Sequence, residues 1–323
     1  MTYILLFSTL FIFACGDSSH TDSAPTSGLT KVSLALNWFP EAEHGGFYAA
    51  QVHGYYQKRG LEVEILGGGP DAPVIQRVAT GSVTFGVTNA DDVLNARAQE
   101  APVVALMAPY QVNPRCIMVH ANSGIKNIAD IKNITLALSQ RPAFSHYLRH
   151  KYPFEGVTIV PYPGSVVQFL SNANFAQQGY VFSEPFVARQ QGGDPHILLV
   201  ADIGFNPYAS VLIATETTIA QRADIAAAMT GATVEGWEHY LRQPEATNRH
   251  INQLNSLMSV DILTYGANQS RALVADEVAT QHGIGHMSAE RWQTLLTQMV
   301  EAGLLDDAAD YDIETAYTTR FLP

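Results

Sequence analysis

Leu34-Ala35-Leu36-Asn37-Trp38-Phe39-Pro40-Glu41-Ala42-Glu43-His44-Gly45-Gly46-Phe47-Tyr48 is the stretch on which the reading of this chain turns. An apolar run stops at Asn37, two aromatics, a proline, two acids, a histidine and two glycines follow, and Phe47 to Val52 then reads as a helix. A strand that ends in polar and aromatic groups just before a helix is where an α/β protein commonly holds a ligand. The glycines allow close approach of backbone to ligand, and a helix start offers unpaired N–H groups.

Outward from this stretch, strand and helix alternate. Lys31 to Leu36 is β-like, and a helix is expected from about Gly46 to Lys58, stopped by Gly60. Strands follow at Leu61–Leu66, Val83–Val87 and Val103–Met107, separated by a glycine loop (Gly67-Gly68-Gly69), a helix through Ala79 and a helix opening at Asn89 or Asp91. These spacings suit right-handed βαβ units, and a parallel sheet is expected. A second α/β series has strands at Ile134–Leu138, Val157–Val160, Gly179–Phe182 and Ile197–Ala201, with Pro185 fitting the first turn of a helix. One more strand, Ser210–Ala214, precedes a helical C-terminal third. Having no sheet of its own, that third is expected to pack back on the first unit.

Composition narrows the function classes. The 323 residues are 47% hydrophobic and 15% charged, ample for packed cores. The net charge of −12 and the lack of any clustered Lys/Arg run exclude nucleic acid as the expected partner. Tyr3 to Ala14 is an apolar run too short for a membrane span of roughly 20 residues. It ends in Ala14-Cys15, followed by a polar segment, a pattern that resembles a bacterial lipoprotein signal although no Lys or Arg precedes Lys31. The expectation is a signal peptide over 1–14, lipidation of Cys15, a tether over 15–30 and a protein anchored to a membrane outside the cytoplasm. Cys116, the one other cysteine, lies in an apolar run and reads as a small core residue, with no disulfide or metal cluster expected.

Several phrases together resemble the NMT1/THI5-like substrate-binding proteins. Asn37-Trp38-Phe39-Pro40 with His44 and Tyr48-Ala49-Ala50 is similar to the family's opening signature. Gly54-Tyr55-Tyr56, Gly60-Leu61-Glu62-Val63 and Gly81-Ser82-Val83-Thr84-Phe85-Gly86-Val87 continue it. Ile128-Ala129-Asp130-Ile131-Lys132 and Gly179-Tyr180-Val181-Phe182-Ser183-Glu184-Pro185 look like its second-lobe phrases. The resemblance covers roughly residues 31 to 300. It implies a two-lobed α/β periplasmic-binding-protein fold (type II), each lobe a mostly parallel sheet flanked by helices, with ligand delivered from the cleft to an ABC permease and its ATPase. Lobe one is expected at 31–113 and 209–323 and lobe two at 114–208, with two crossings acting as a hinge.

The cleft should be lined by C-terminal strand ends of both lobes. That gives Asn37, Trp38, His44, Tyr48, Gly69, Asn89, Asp91 and Tyr110 from lobe one, and Tyr162, Glu184 and Tyr208 from the second. Gly68, Ala90, Ser139, Gln140, Arg141, Ser165 and Phe182 stand beside them. The set is rich in aromatics, amides and acids and poor in cations. It suits a flat, nitrogen-bearing heterocycle better than an oxyanion such as sulfonate or nitrate. Trp38 and Tyr110 could stack, and the resemblance implies that Glu184 could pair with an aminopyrimidine. Each residue has a structural alternative: Trp38 as a core cap, His44 and Asp91 as helix caps, Glu184 as a favourable charge at a helix start. The triple glycine lacks the ending of a phosphate loop, and His250, His282 and His286 are too scattered for a metal site.

Three function classes follow. The first is an extracytoplasmic binding protein, monomeric and without cofactor, for a thiamine pyrimidine precursor, a flavin or a related heterocycle. The second is a pyrimidine-synthase-like enzyme. It is disfavoured because the loop after the third strand, Thr88-Asn89-Ala90-Asp91-Asp92, has neither the histidine nor the lysine that the resemblance would require. The third is a sensor ectodomain with the same binding chemistry.

Overall fold

Buried Val32, Leu34 and Ala35 carry β1 (Thr30–Ala35) into the middle of a sheet, whereas β2 (Leu61–Leu66), in which exposed Glu62 and Glu64 alternate with buried Leu61 and Val63, takes its edge. The structure is a computed structural model that describes residues 28–306 and 311–323. The expected signal segment, Cys15 and the tether up to residue 27 lie outside the described residues.

Between β1 and β2 lie α1 (Gly45–Val52) and α2 (Tyr55–Lys58), preceded by a 3₁₀ turn, Ala42–His44. The single helix expected over 46–58 is broken because Gly54 adopts φ +73°, a left-handed conformation open to glycine. The first sheet continues through α3 (Val74–Ala79), β3 (Phe85–Thr88), α4 (Ala90–Ala98) and β4 (Val103–Met107). The chain then enters the second sheet with β5 (Arg115–His120), β6 (Thr135–Ala137), α5 (Ala143–Lys151), β7 (Thr158–Val160), α6 (Val167–Ser171), β8 (Phe175–Tyr180), α7 (Glu184–Gln190) and β9 (Pro195–Leu199). It returns in β10 (Val211–Thr215) and finishes in α8 (Glu216–Gln221), α9 (Ala223–Arg242), α10 (Glu245–Leu254), α11 (Val260–Val274), α12 (Glu277–His282) and α13 (Ala289–Glu301).

The two sheets repeat one plan, β2-β1-β3-β10-β4 and β7-β6-β8-β5-β9. In each, one strand runs antiparallel to its neighbours: β10 between β3 and β4, and β5 between β8 and β9. Both are the first strand after a crossing from the other sheet. A chain that leaves one sheet at the C-terminal end of a strand must start the next strand at that same end and run away from it. The interface between lobes is therefore lined by C-terminal ends of parallel strands and by the starts of β5 and β10. The expected mostly parallel sheets are observed, each with this one reversed strand.

The strand expected at 179–182 runs instead over Phe175–Tyr180, so that Gln177 and Gln178 are buried in the sheet centre. Alternation of apolar residues could not announce it, because Gln178 is held there by bonds to the Ser139 amide (2.6 Å) and hydroxyl (2.8 Å).

The C-terminal helices cover the first sheet. Gly45 and Gly46, expected to let backbone approach ligand, instead let α9 approach α1. A Cβ at Gly45 would stand 2.0 Å from the Tyr240 ring, and one at Gly46 2.2 Å from Trp237. Cys116 is buried, as expected, its thiol donating to the Gly179 carbonyl. Among the described residues no helix is long and apolar enough to cross a membrane.

Candidate ligand site between the two sheets

The first wall is the segment after β1. Asn37 and Trp38 are half-buried, Phe39 is exposed, and Glu41, Glu43 and His44 are enclosed, at 5%, 2% and 0% exposure. Trp38 meets Phe39 edge to face, with centroids 5.5 Å apart. His44 Nε2 pairs with Asn37 Oδ1 at 3.0 Å. Burial lowers the His44 pKa against the opposing pull of Glu43, so the neutral ring serves to hold Asn37.

The glycine loop closes on this segment. The Gly68 amide donates to Trp38 O (2.9 Å), and a Cβ at Gly68 would fall 2.1 Å from Leu36 O. Gly69 packs on the Phe39 ring. Gly68, more than Gly69, is thus the position that admits no side chain.

The second wall is built around Glu184 at the start of α7. Its carboxylate accepts from Tyr162 Oη (2.6 Å), Tyr180 N (2.8 Å) and Ser183 Oγ (2.8 Å), and Gly179 leaves it room. Glu43 on the first wall accepts from Ser210 Oγ at 2.7 Å. Glu41 lies against Glu43 and faces Glu184 across the interface. Its pKa is raised well above the ordinary carboxylate value, first by burial and then by the charges of Glu43 and Glu184.

Beside these acids, Arg115 lies between the rings of Phe144 (4.3 Å) and Tyr180 (4.5 Å) and donates to Tyr180 Oη at 2.8 Å. From the first lobe Asp91 faces this guanidinium. Burial, with Asp92 adding, pushes Asp91 up to about 7 while Arg115 and the Ala143 amide pull it down. At the rim, exposed Arg141 forms an ion pair with Asp71 of the glycine loop.

The structure thus brings Asn37, Trp38, His44, Gly69, Asp91, Tyr162 and Glu184 to the facing walls. Asn89 caps α4, its side chain and that of Asp92 closing a capping box. Three other expected site residues have protein neighbours on all sides. Tyr48 is buried against His250 under α10 (5.8 Å). Tyr110 is enclosed by Phe182 and Trp237, its hydroxyl 3.1 Å from Ser270. Tyr208 sits beneath α13, accepting from Ser288 N (3.0 Å) and carrying the Arg291 guanidinium on its ring. Packing between elements far apart in the chain, invisible to spacing, encloses them.

Sequence reasoning missed Glu41, Glu43, Arg115 and Ser210. Arg115 and Ser210 escaped because only C-terminal strand ends were considered, whereas these residues stand at the start of the two reversed strands. Ser210 is further marked by φ +53°, a strained conformation for a serine. A surface depression of about 490 Å³ beside α6, lined by residues such as Thr135, Gln168 and Phe175, holds no charged group and lies apart from these acids.

Known proteins share this architecture and sequence. The riboflavin-binding protein RibY of Chloroflexus aurantiacus is 27% identical over 97% of this chain and 95% of its own length. The formylaminopyrimidine-binding protein of Halalkalibacterium halodurans is 22% identical over 91% of each. The periplasmic aliphatic sulphonate binding protein SsuA from Escherichia coli superposes with a TM-score of 0.69 at 15% identity, covering 88% of this chain and 91% of SsuA, which shows a shared fold. The model of the NMT1/THI5 like family matches residues 41–247, and the chain belongs to that family.

Proposed function

We propose that this protein captures a flat, nitrogen-bearing heterocycle between its two lobes outside the cytoplasm and delivers it to an ABC permease driven by its ATPase. The observation that supports this reading is the pairing of a half-buried Trp38 with a carboxyl-rich interior in which Arg115 is the one guanidinium among the described residues away from the rim. An aromatic face supplies stacking, and carboxyl groups read ring nitrogens and amino groups. A thiamine pyrimidine precursor satisfies this chemistry. A flavin is the second reading, favoured by the near full-length similarity to a riboflavin-binding protein. Both near full-length relatives are named for binding.

In this reading lobe one is 31–113 with 209–323 and lobe two is 114–208. The crossings between β4 and β5 and between β9 and β10 are the hinge, and a lipid on Cys15 holds the protein at the membrane. Asn37, Trp38 and Glu184 border the ligand, with His44 and Tyr162 fixing their partners. The test is extraction of natively purified protein followed by mass spectrometry. A bound pyrimidine or isoalloxazine is expected; recovery of sulfonate or nitrate alone would overturn the aromatic reading.

A further inference from the structure

Three carboxyl groups converge at the lobe interface, and their partners differ. Glu184 accepts three hydrogen bonds and Glu43 accepts one from Ser210. The carboxyl of Glu41, a residue only 5% exposed, accepts no hydrogen bond from an N–H or hydroxyl among the described residues and meets no Lys or Arg in an ion pair. The Glu43 carboxyl lies within its hydrogen-bonding reach and is the larger of the charges acting on it. The other groups that face it are Glu184 from α7 and the phenols of Tyr110, Tyr162, Tyr180 and Tyr240. A carboxylate there would be a third negative charge beside Glu43 and Glu184, and the one of the three without a donor of its own, so its ionisation is opposed by both neighbours.

We propose that Glu41 reads the ligand as a neutral carboxylic acid, its O–H and C=O forming a donor–acceptor fork against a ring edge that carries an acceptor beside a donor. This rests on the heterocycle reading above and goes beyond it by naming the acid and its protonation state. Without ligand the proton is shared with Glu43; with ligand the same O–H turns to the ring acceptor, and no proton is gained or lost. Two sources offer such an edge: an aminopyrimidine (ring N beside NH₂) and an isoalloxazine (C=O beside N–H). The raised pKa of Glu41 agrees with the neutral form, which the carboxyls of Glu43 and Glu184 maintain. Capture should therefore weaken as pH rises and Glu41 ionises.

The test is calorimetric titration of the wild-type protein and of Glu41→Gln with 4-amino-2-methylpyrimidine and, separately, with riboflavin, across the whole pH range in which both proteins stay folded. Wild-type affinity for the true ligand class is expected to fall about tenfold or more over this range. Glutamine keeps an acceptor and a donor at all pH, so Glu41→Gln should retain low-pH affinity and lose the pH dependence. If Glu41 instead bound a protonated pyrimidine as a carboxylate, Glu41→Gln would bind weakly throughout, and the proposal would fall. Wild-type binding with no pH dependence would overturn the proposal and leave the heterocycle reading standing; no binding of either compound would overturn both. Glu43→Gln supplies an independent arm, since removing the neighbouring charge should move the midpoint to lower pH. An unmoved midpoint would count against the shared proton even if Glu41→Gln folded poorly.

Discussion

The two walls of the interface carry the same chemistry under opposite constraints. On the second wall Glu184 is tied by three donors contributed from its own lobe, so it is an organised structural anion that positions Tyr162. On the first wall Glu41 is buried more deeply than the half-buried Glu184, yet its carboxyl has another acid as its partner. A charge that is fully hydrogen-bonded has little left to offer a ligand, whereas a buried group without a donor gains most from one. The family resemblance pointed to Glu184; the geometry moves the weight to the opposite wall.

The comparison can be tested most severely at Gly68. A Cβ there would meet backbone that cannot give way, so Gly68→Ala should destabilise the protein by about 2–3 kcal/mol and abolish measurable capture, read by thermal melting and titration. Next, Trp38→Ala removes a half-exposed stacking face. It should weaken heterocycle binding by about 1–3 kcal/mol while leaving the melting temperature nearly unchanged. Glu184→Gln should show the reverse balance, a stability loss of about 1–2 kcal/mol with affinity reduced less than in Trp38→Ala. If its affinity loss exceeds that of Trp38→Ala, the second wall is the reader and the comparison is broken.

A fourth experiment sharpens the role of buried acids in the stability of the protein. Asp91 has a usual value of 3.8 and is pushed up to about 7, so the folded state holds more protons than the unfolded chain within that window. Stability should therefore be greatest below it and decline as pH rises through it. Asp91→Asn should flatten this part of a melting-temperature profile, and an unchanged slope would show that the decline comes from other groups. The smallest effect belongs to Tyr208→Phe, which loses the bond to Ser288 N. It should cost about 1 kcal/mol of stability with affinity unaltered, placing Tyr208 outside the site.

Legibility followed the range of the interactions. β1 and β4 were readable within a residue because they rest on alternating or continuous apolar runs. The strand expected at 179–182 differs from β8 because the centre of β8 holds two buried glutamines, of which Gln178 is bonded to Ser139, far along the chain. Of the expected lining, Asn37, Trp38 and Glu184 stand on the facing walls, whereas Tyr48 is covered by α10, Tyr110 by Phe182 and Trp237, and Tyr208 by α13; an aromatic looks alike in sequence whether a ligand or a helix covers it.

What the amino-acid order determined by itself was the sequence of strands and helices, the expectation of two α/β lobes, and the aromatic-and-acid character of the segment from Asn37 to His44. These follow from periodicity and local composition. Only the tertiary structure decided which acid is satisfied and which is not. Glu41 and Glu184 are both followed by residues suited to a helix start, yet Glu184 finds Tyr162 and Glu41 finds Glu43. Hydrogen-bond satisfaction depends on neighbours in space, and those neighbours are set by the two chain crossings that fold one lobe against the other.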